Sequence, residues 1–86
     1  MNKDNKNNSL SKFKEVNQAY AFLKGLGEVR QKDAAACKAY LMATLIITTE
    51  PTFTRRKRGQ VVPTVEEYAA IIAVFKRYGV TQPFGV

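Results

Sequence analysis

The sequence contains no histidine and a single cysteine, Cys37. The absence of histidine excludes the common zinc sites and every catalytic triad that depends on an imidazole. One cysteine cannot form a disulfide within the chain, which favours a reducing compartment. We therefore expect no metal and no cofactor, and we predict a cytoplasmic protein.

Long hydrophobic runs are also missing. A membrane-spanning helix needs about 20 apolar residues, and no apolar stretch of this sequence approaches that length. The first nine residues are rich in asparagine and lysine and contain no apolar core, so they match neither a signal peptide nor a membrane anchor. We expect no membrane among the partners of this protein.

Catalytic patterns are absent as well. Glu66 and Glu67 are adjacent carboxylates, but neighbouring residues on a helix project about 100° apart and do not form a general acid–base pair. The segment Gly25-Leu26-Gly27 lacks the third glycine and the downstream acid of a dinucleotide-binding loop. The sequence therefore predicts a protein that is not an enzyme and has no catalytic residues.

The sequence does contain an excess of positive charge. Fourteen lysines and arginines outnumber seven acids, which gives a net charge of +7 at pH 7. Four consecutive cations occupy Arg55 to Arg58, and no acid occurs between Glu50 and Glu66 to neutralise them. Because guanidinium groups bind phosphates bidentately and lysine adds a point charge, this basic block predicts contact with a phosphate backbone. Four such contacts imply that log affinity falls with log salt at a slope of about −3 to −4.

We predict a small non-catalytic nucleic-acid-binding protein, a transcriptional or accessory regulator, with duplex DNA favoured and RNA as a further option. An alternative is a protein-interaction module or inhibitor that docks its basic face on an acidic or nucleic-acid-handling protein. The basic block could also be a solvated turn or a nuclear-import signal. A homodimer is compatible with either of the two functions. The candidate nucleic-acid-binding residues are Arg55, Arg56, Lys57, Arg58, Gln60, Lys76 and Arg77. The last two extend the basic surface if the carboxyl end of their helix lies beside the block.

The length of 86 residues, with 45% hydrophobic residues, favours one mainly α domain with three helices. We expect residues 1–9 to form a disordered polar tail and residues 10–86 to form a single compact helical domain. An apolar stripe predicts a first helix from Ser9 or Ser11 to Lys24, ended by the glycines of Gly25-Leu26-Gly27.

A second helix is predicted from about Glu28 or Asp33 to near Thr48, where β-branched residues precede Pro51. Its expected buried face comprises Ala36, Cys37, Tyr40, Leu41, Thr44 and Leu45. Thr52-Phe53-Thr54 and Gln60-Val61-Val62 flank the block and predict a basic β-hairpin or loop between helices 2 and 3, with Gly59 supplying a positive φ. Phe53 is then either a base-stacking platform or the side chain that anchors the hairpin.

The third helix has the clearest local signals. Thr64-Val65-Glu66-Glu67 is a capping box, in which the first and last residues exchange hydrogen bonds. Gly79 is placed as a left-handed residue after the helix, followed by Val80 in contact with Phe75. The expected buried stripe comprises Tyr68, Ile71, Ile72, Phe75 and Tyr78. Phe84 is expected to be either a last core contact or an anchor for a partner.

Overall fold

The structure is a computed structural model that describes residues 19–86. The expected polar tail and most of the expected first helix lie outside the described residues. Four α-helices are described, which we number α1 (Leu23–Glu28), α2 (Ala34–Thr44), α3 (Glu50–Lys57) and α4 (Val65–Arg77), with a 3-10 turn at Gln31–Asp33. The described part of the chain contains no strand, and an isolated parallel bridge joins Phe22 to Gly85. The prediction of a small, mainly helical domain is confirmed, but the described residues contain four α-helices instead of the three predicted.

Three phenylalanine rings form the centre of the hydrophobic core. Phe22 lies 6.1 Å from Phe53 and 5.8 Å from Phe75, measured between ring centroids and with inclined ring planes. Leu41 of α2 and Ile71 of α4 are buried in the same cluster. Because each ring comes from a different part of the chain, this cluster joins α3 and α4 to the segment that precedes α1.

The predicted end of the first helix is wrong. Within the described residues, α1 begins at Leu23 and continues through Gly25 and Gly27. Its first amide groups donate to carbonyls from distant segments: Lys24 N to Gly85 O at 3.0 Å and Gly25 N to Pro83 O at 2.9 Å. These bonds satisfy amides that a helix start leaves without intrahelical partners, so the C-terminal segment caps this short helix.

Gly25 serves close packing instead of helix termination. A Cβ atom at this position would lie 2.7 Å from Pro83 Cβ and 2.9 Å from Phe75 Cε1. Gly27, by contrast, has nothing within 4 Å of the same ideal position. The C-terminal segment therefore lies so close to α1 that only glycine fits at residue 25.

The predicted β-hairpin is also wrong, because Thr52-Phe53-Thr54 and the basic residues that follow lie in α3. Thr49 is extended and precedes the helix, and Pro51 lies in its first turn, where a missing N–H costs nothing. Gly59 does adopt a positive φ of 77°, but it does so at a helix end. Its N–H donates to Arg56 O, and that of Gln60 donates to Arg55 O, both at 3.0 Å. This pair of bonds is a Schellman motif, which ends a helix with glycine.

Helix α2 ends earlier than predicted, at Thr44 instead of near Thr48. Ile46 follows it with a positive φ of 55°, and Ile47 N donates to Met42 O at 2.7 Å. This is again Schellman geometry, here with a β-branched residue in the left-handed position. Of the expected buried face, Cys37, Leu41 and Leu45 are buried. Ala36 and Tyr40 are exposed, because α2 packs on one side only.

Helix α4 confirms the capping box. Glu67 N donates to Thr64 Oγ1 at 3.1 Å, and Thr64 N donates to Glu67 Oε1 at 2.9 Å. Gly79 has the expected positive φ of 82°, and Val80 is buried with its N–H on Phe75 O. Ile71 and Phe75 are buried as expected.

Tyr68 and Phe84 lie at the edge of the core. Tyr68, expected in the buried stripe, is partly exposed and stacks on Phe84 with ring centroids 4.4 Å apart. Phe84 is partly buried against the core. It therefore holds the C-terminal segment against α4, which favours the core-contact reading over the anchor.

Candidate nucleic-acid interface

The helical conformation of α3 divides the basic block. Successive residues of a helix project about 100° apart, so four consecutive side chains point in four directions around the axis. Arg55, Arg56 and Lys57 occupy the last turn of α3, and Arg58 is the residue that caps it. Each of the four therefore has its own surroundings.

Arg56 joins α3 to α4. Its Nη1 and Nη2 atoms lie 3.2 Å and 3.0 Å from Oε1 and Oε2 of Glu67, and the side chains of Arg56 and Glu67 are 14% and 29% exposed. The same carboxylate accepts the N–H of Thr64. The Arg56 hydrogen bonds, and then the Thr64 N–H, hold the pKa of Glu67 below its ordinary value. Arg56, a candidate phosphate contact, is thus engaged in a bidentate pair within the fold.

Lys57 lies beside an aromatic ring. Its Nζ is 5.9 Å from the centroid of Phe53, and Nζ of Lys38 from α2 is 5.4 Å from the same centroid. Phe53 is 2% exposed, so it belongs to the core and is unavailable as a base-stacking platform. Lys38 also bonds Oε1 of Glu50 at 2.6 Å. The packing of α2 on α3 therefore adds a cation that the sequence did not connect with the block.

Arg55 and Arg58 are three residues apart and project from the same side of α3. Arg55 is exposed, whereas Arg58 and Gln60 are half-buried. We define the α3 cationic surface as Arg55, Lys57 and Arg58, and we leave out Lys38 because it is paired with Glu50. Cations in the last turn of a helix offset the partial negative charge of its C-terminus, and this explains part of the concentration of positive charge at the end of α3.

Lys76 and Arg77 lie away from this surface. The Arg56–Glu67 pair places the amino end of α4 beside the basic block, and Arg77 follows Glu67 by ten residues, about 15 Å along the helix axis. The carboxyl end of α4 therefore does not lie beside the basic block, and Lys76 and Arg77 do not extend the basic surface. Arg77 instead lies over the ring of Tyr40, with its Cζ 4.8 Å from the ring centroid.

Three further features of residues 19–86 bear on function: the grouping of cysteine and acidic side chains, the thiol of Cys37 and the length of the helices. No group of three or more cysteine or acidic side chains in that range could hold a metal ion. Cys37 is fully buried, and burial, followed by the nearby charge of Asp33, raises the pKa of its thiol. None of the four helices is long and apolar enough to cross a membrane.

Comparison with known proteins gives no relative: no family model, no curated protein and no solved structure matches this chain.

Proposed function

We propose that this protein binds nucleic acid without catalysis, as a transcriptional or accessory regulator, and that the α3 cationic surface contacts the phosphate backbone of duplex DNA. The observation that carries the proposal is a local excess of positive charge. The two carboxylates bonded to cations around α3, Glu50 and Glu67, are each paired with one cation, Lys38 and Arg56. Arg55 is exposed and Lys57 is half-buried in the same helical turn, and no acid occurs in the sequence from residue 51 to residue 65.

The strength of such binding follows from the number of phosphates contacted. Each neutralised phosphate releases counterions and contributes about −0.9 to the slope of log affinity against log salt. With Arg56 engaged by Glu67, the block offers Arg55 and Lys57, so we expect these two contacts to contribute a slope of about −1.8. Contacts of this kind do not distinguish base sequences, because every duplex presents the same phosphates.

The test compares two variants that each remove one exposed cation from the last turn of a helix. Arg55→Ala alters the α3 cationic surface, and Lys76→Ala alters the far end of α4. Fluorescence anisotropy with a random-sequence duplex, over a range of salt concentrations, gives the affinity and the slope. We expect Arg55→Ala to weaken binding and to make the slope about 0.9 less steep, and Lys76→Ala to leave the slope unchanged.

Two results would contradict the proposal. The first is an unaltered protein that fails to bind duplex at low salt. The second is an equal loss of duplex affinity in both variants, which would indicate that binding depends on the net charge of the protein and not on a defined surface. If the chain ignored nucleic acid but captured an acidic protein after nuclease treatment, the same cations would have a protein partner.

A further inference from the structure

Tyr40 of α2 and Arg77 of α4 form an exposed cation–π pair at the end of α4 remote from the basic block. The Arg77 guanidinium lies 4.8 Å from the ring centroid, which is within the range of a cation–π contact. Tyr40 is 39% exposed, and Arg77 is exposed as well. Two flat groups, one aromatic and one cationic, are therefore held together at the surface by two different helices.

A shallow groove of about 360 Å³ lies beside this pair. Its remaining lining is small or apolar and consists of Thr44, Ala70, Ala73 and Val74. Among residues 19–86, no acidic side chain lines the groove, so none of them neutralises the charge of Arg77 there.

We propose that this groove binds an unpaired base of single-stranded nucleic acid, stacked on the Tyr40–Arg77 pair. Aromatic rings and guanidinium planes are the groups on which proteins stack unpaired bases, and such stacking tolerates any base because each has a π face. The alanine side chains leave room for a flat ring, and the hydroxyls of Tyr40 and Thr44 are available to hydrogen-bond its edge.

This inference rests on the proposed function only in naming nucleic acid as the partner. The two surfaces lie at opposite ends of α4 and recognise different features: phosphates of a duplex at α3, and a base at the groove. A cation–π pair that merely joins α2 to α4 would show no preference for a strand that carries bases. The presence or absence of bases in the probe therefore separates the two roles of the pair.

The experiment uses an eight-nucleotide thymidine strand and an abasic strand of equal length, which carries the same phosphates. We expect the unaltered protein to bind the thymidine strand more tightly. Tyr40→Leu and Arg77→Lys remove one stacking plane each, and we expect them to weaken thymidine binding by about 5- to 150-fold while abasic binding stays unchanged. Tyr40→Phe keeps the ring and should retain the preference for the thymidine strand.

Equal affinity of the unaltered protein for the two strands would overturn the inference. So would a loss of both affinities to the same extent in Arg77→Lys, which keeps the charge and serves if Tyr40→Leu does not fold. Duplex binding measured in parallel separates the two proposals. A protein that prefers the thymidine strand but ignores duplex refutes the α3 assignment alone, and a protein that binds duplex but shows no preference for bases refutes the groove alone.

Discussion

Two glycines of α1, Gly25 and Gly27, provide a matched test of how the C-terminal segment packs. Both lie inside the same short helix, and neither has a positive φ. They differ in the space around them. At residue 27 a methyl group would meet nothing within 4 Å, whereas at residue 25 it would lie 2.7 Å from Pro83 Cβ and 2.9 Å from Pro83 Cα.

The two substitutions by alanine should therefore change stability in opposite directions. Gly27→Ala should stabilise the domain by about 0.5–1 kcal/mol, because alanine loses less backbone entropy than glycine in a helix. Gly25→Ala gains the same term, but its methyl group must displace a proline ring and the buried Phe75 ring, and overpacking of this kind costs about 1–3 kcal/mol. Displacement of Pro83 also weakens the bond from Gly25 N to Pro83 O. We expect a net loss of about 1–2 kcal/mol for Gly25→Ala.

Urea unfolding followed by circular dichroism measures both changes in free energy, and unaltered m values would show that the same surface unfolds in each variant. In a domain of this size, 1 kcal/mol corresponds to about 4–8 °C in Tm. If Gly25→Ala proved as stable as Gly27→Ala, the C-terminal segment would not lie against α1, and the account of how α1 is capped would fail with it.

Three further changes test other parts of the fold. Arg56→Ala should lower the free energy of unfolding by about 1–2 kcal/mol, more than an exposed ion pair because the pair is bidentate and partly buried. Arg55→Ala should change it by less than about 0.5 kcal/mol in urea unfolding. Because the pKa of Glu67 is lowered in the folded state, the stabilisation by Arg56 should be complete above the ordinary glutamate pKa of about 4.3. It should decline as pH falls below that value through the lower folded-state pKa, so urea midpoints of Arg56→Ala and the unaltered protein should converge in acid. A constant difference down to pH 3 would contradict this reasoning. Ile46→Gly should raise Tm slightly, because relief of about 1–2 kcal/mol of left-handed strain at a residue that is 85% exposed exceeds the about 0.5–1 kcal/mol that glycine loses in backbone entropy. A clearly lower Tm would show that the strain is absent.

The end signals of α4 were predictable from the sequence because they are local. The capping box needs only Thr64 and Glu67, three residues apart, and the left-handed turn after the helix needs only Gly79. Both act within one helical turn, where the chain itself fixes the geometry. No knowledge of the rest of the fold was required.

The basic segment was misinterpreted because one residue fits two structures. A tight hairpin and a helix C-terminus both favour glycine with a positive φ, so Gly59 alone does not decide between them. The deciding signals lay upstream, where Thr49 precedes an acid and Pro51 occupies a first helical turn. Arginine and lysine are also good helix formers, which outweighed the β-branched threonines around Phe53.

Gly25 could not be interpreted from its neighbours in the sequence. Its role depends on Pro83, which is 58 positions away, and on the ring of Phe75. The Arg56–Glu67 pair likewise depends on how α3 lies against α4. Local patterns show where helices begin and end, but the contacts that assign a role to these side chains arise only when the helices pack.

The same distinction bears on how a run of cations is counted. In an extended loop, all four side chains of the basic block have access to one phosphate backbone. In α3 they are spread around the axis, so Glu67 takes Arg56 and Phe53 lies beneath Lys57. The number of consecutive cations is therefore an upper limit on the number of phosphate contacts. A salt slope close to about −1.8, distinct from the about −3.6 of four contacts, would show that the helix, more than the composition of the block, determines how many phosphates it neutralises.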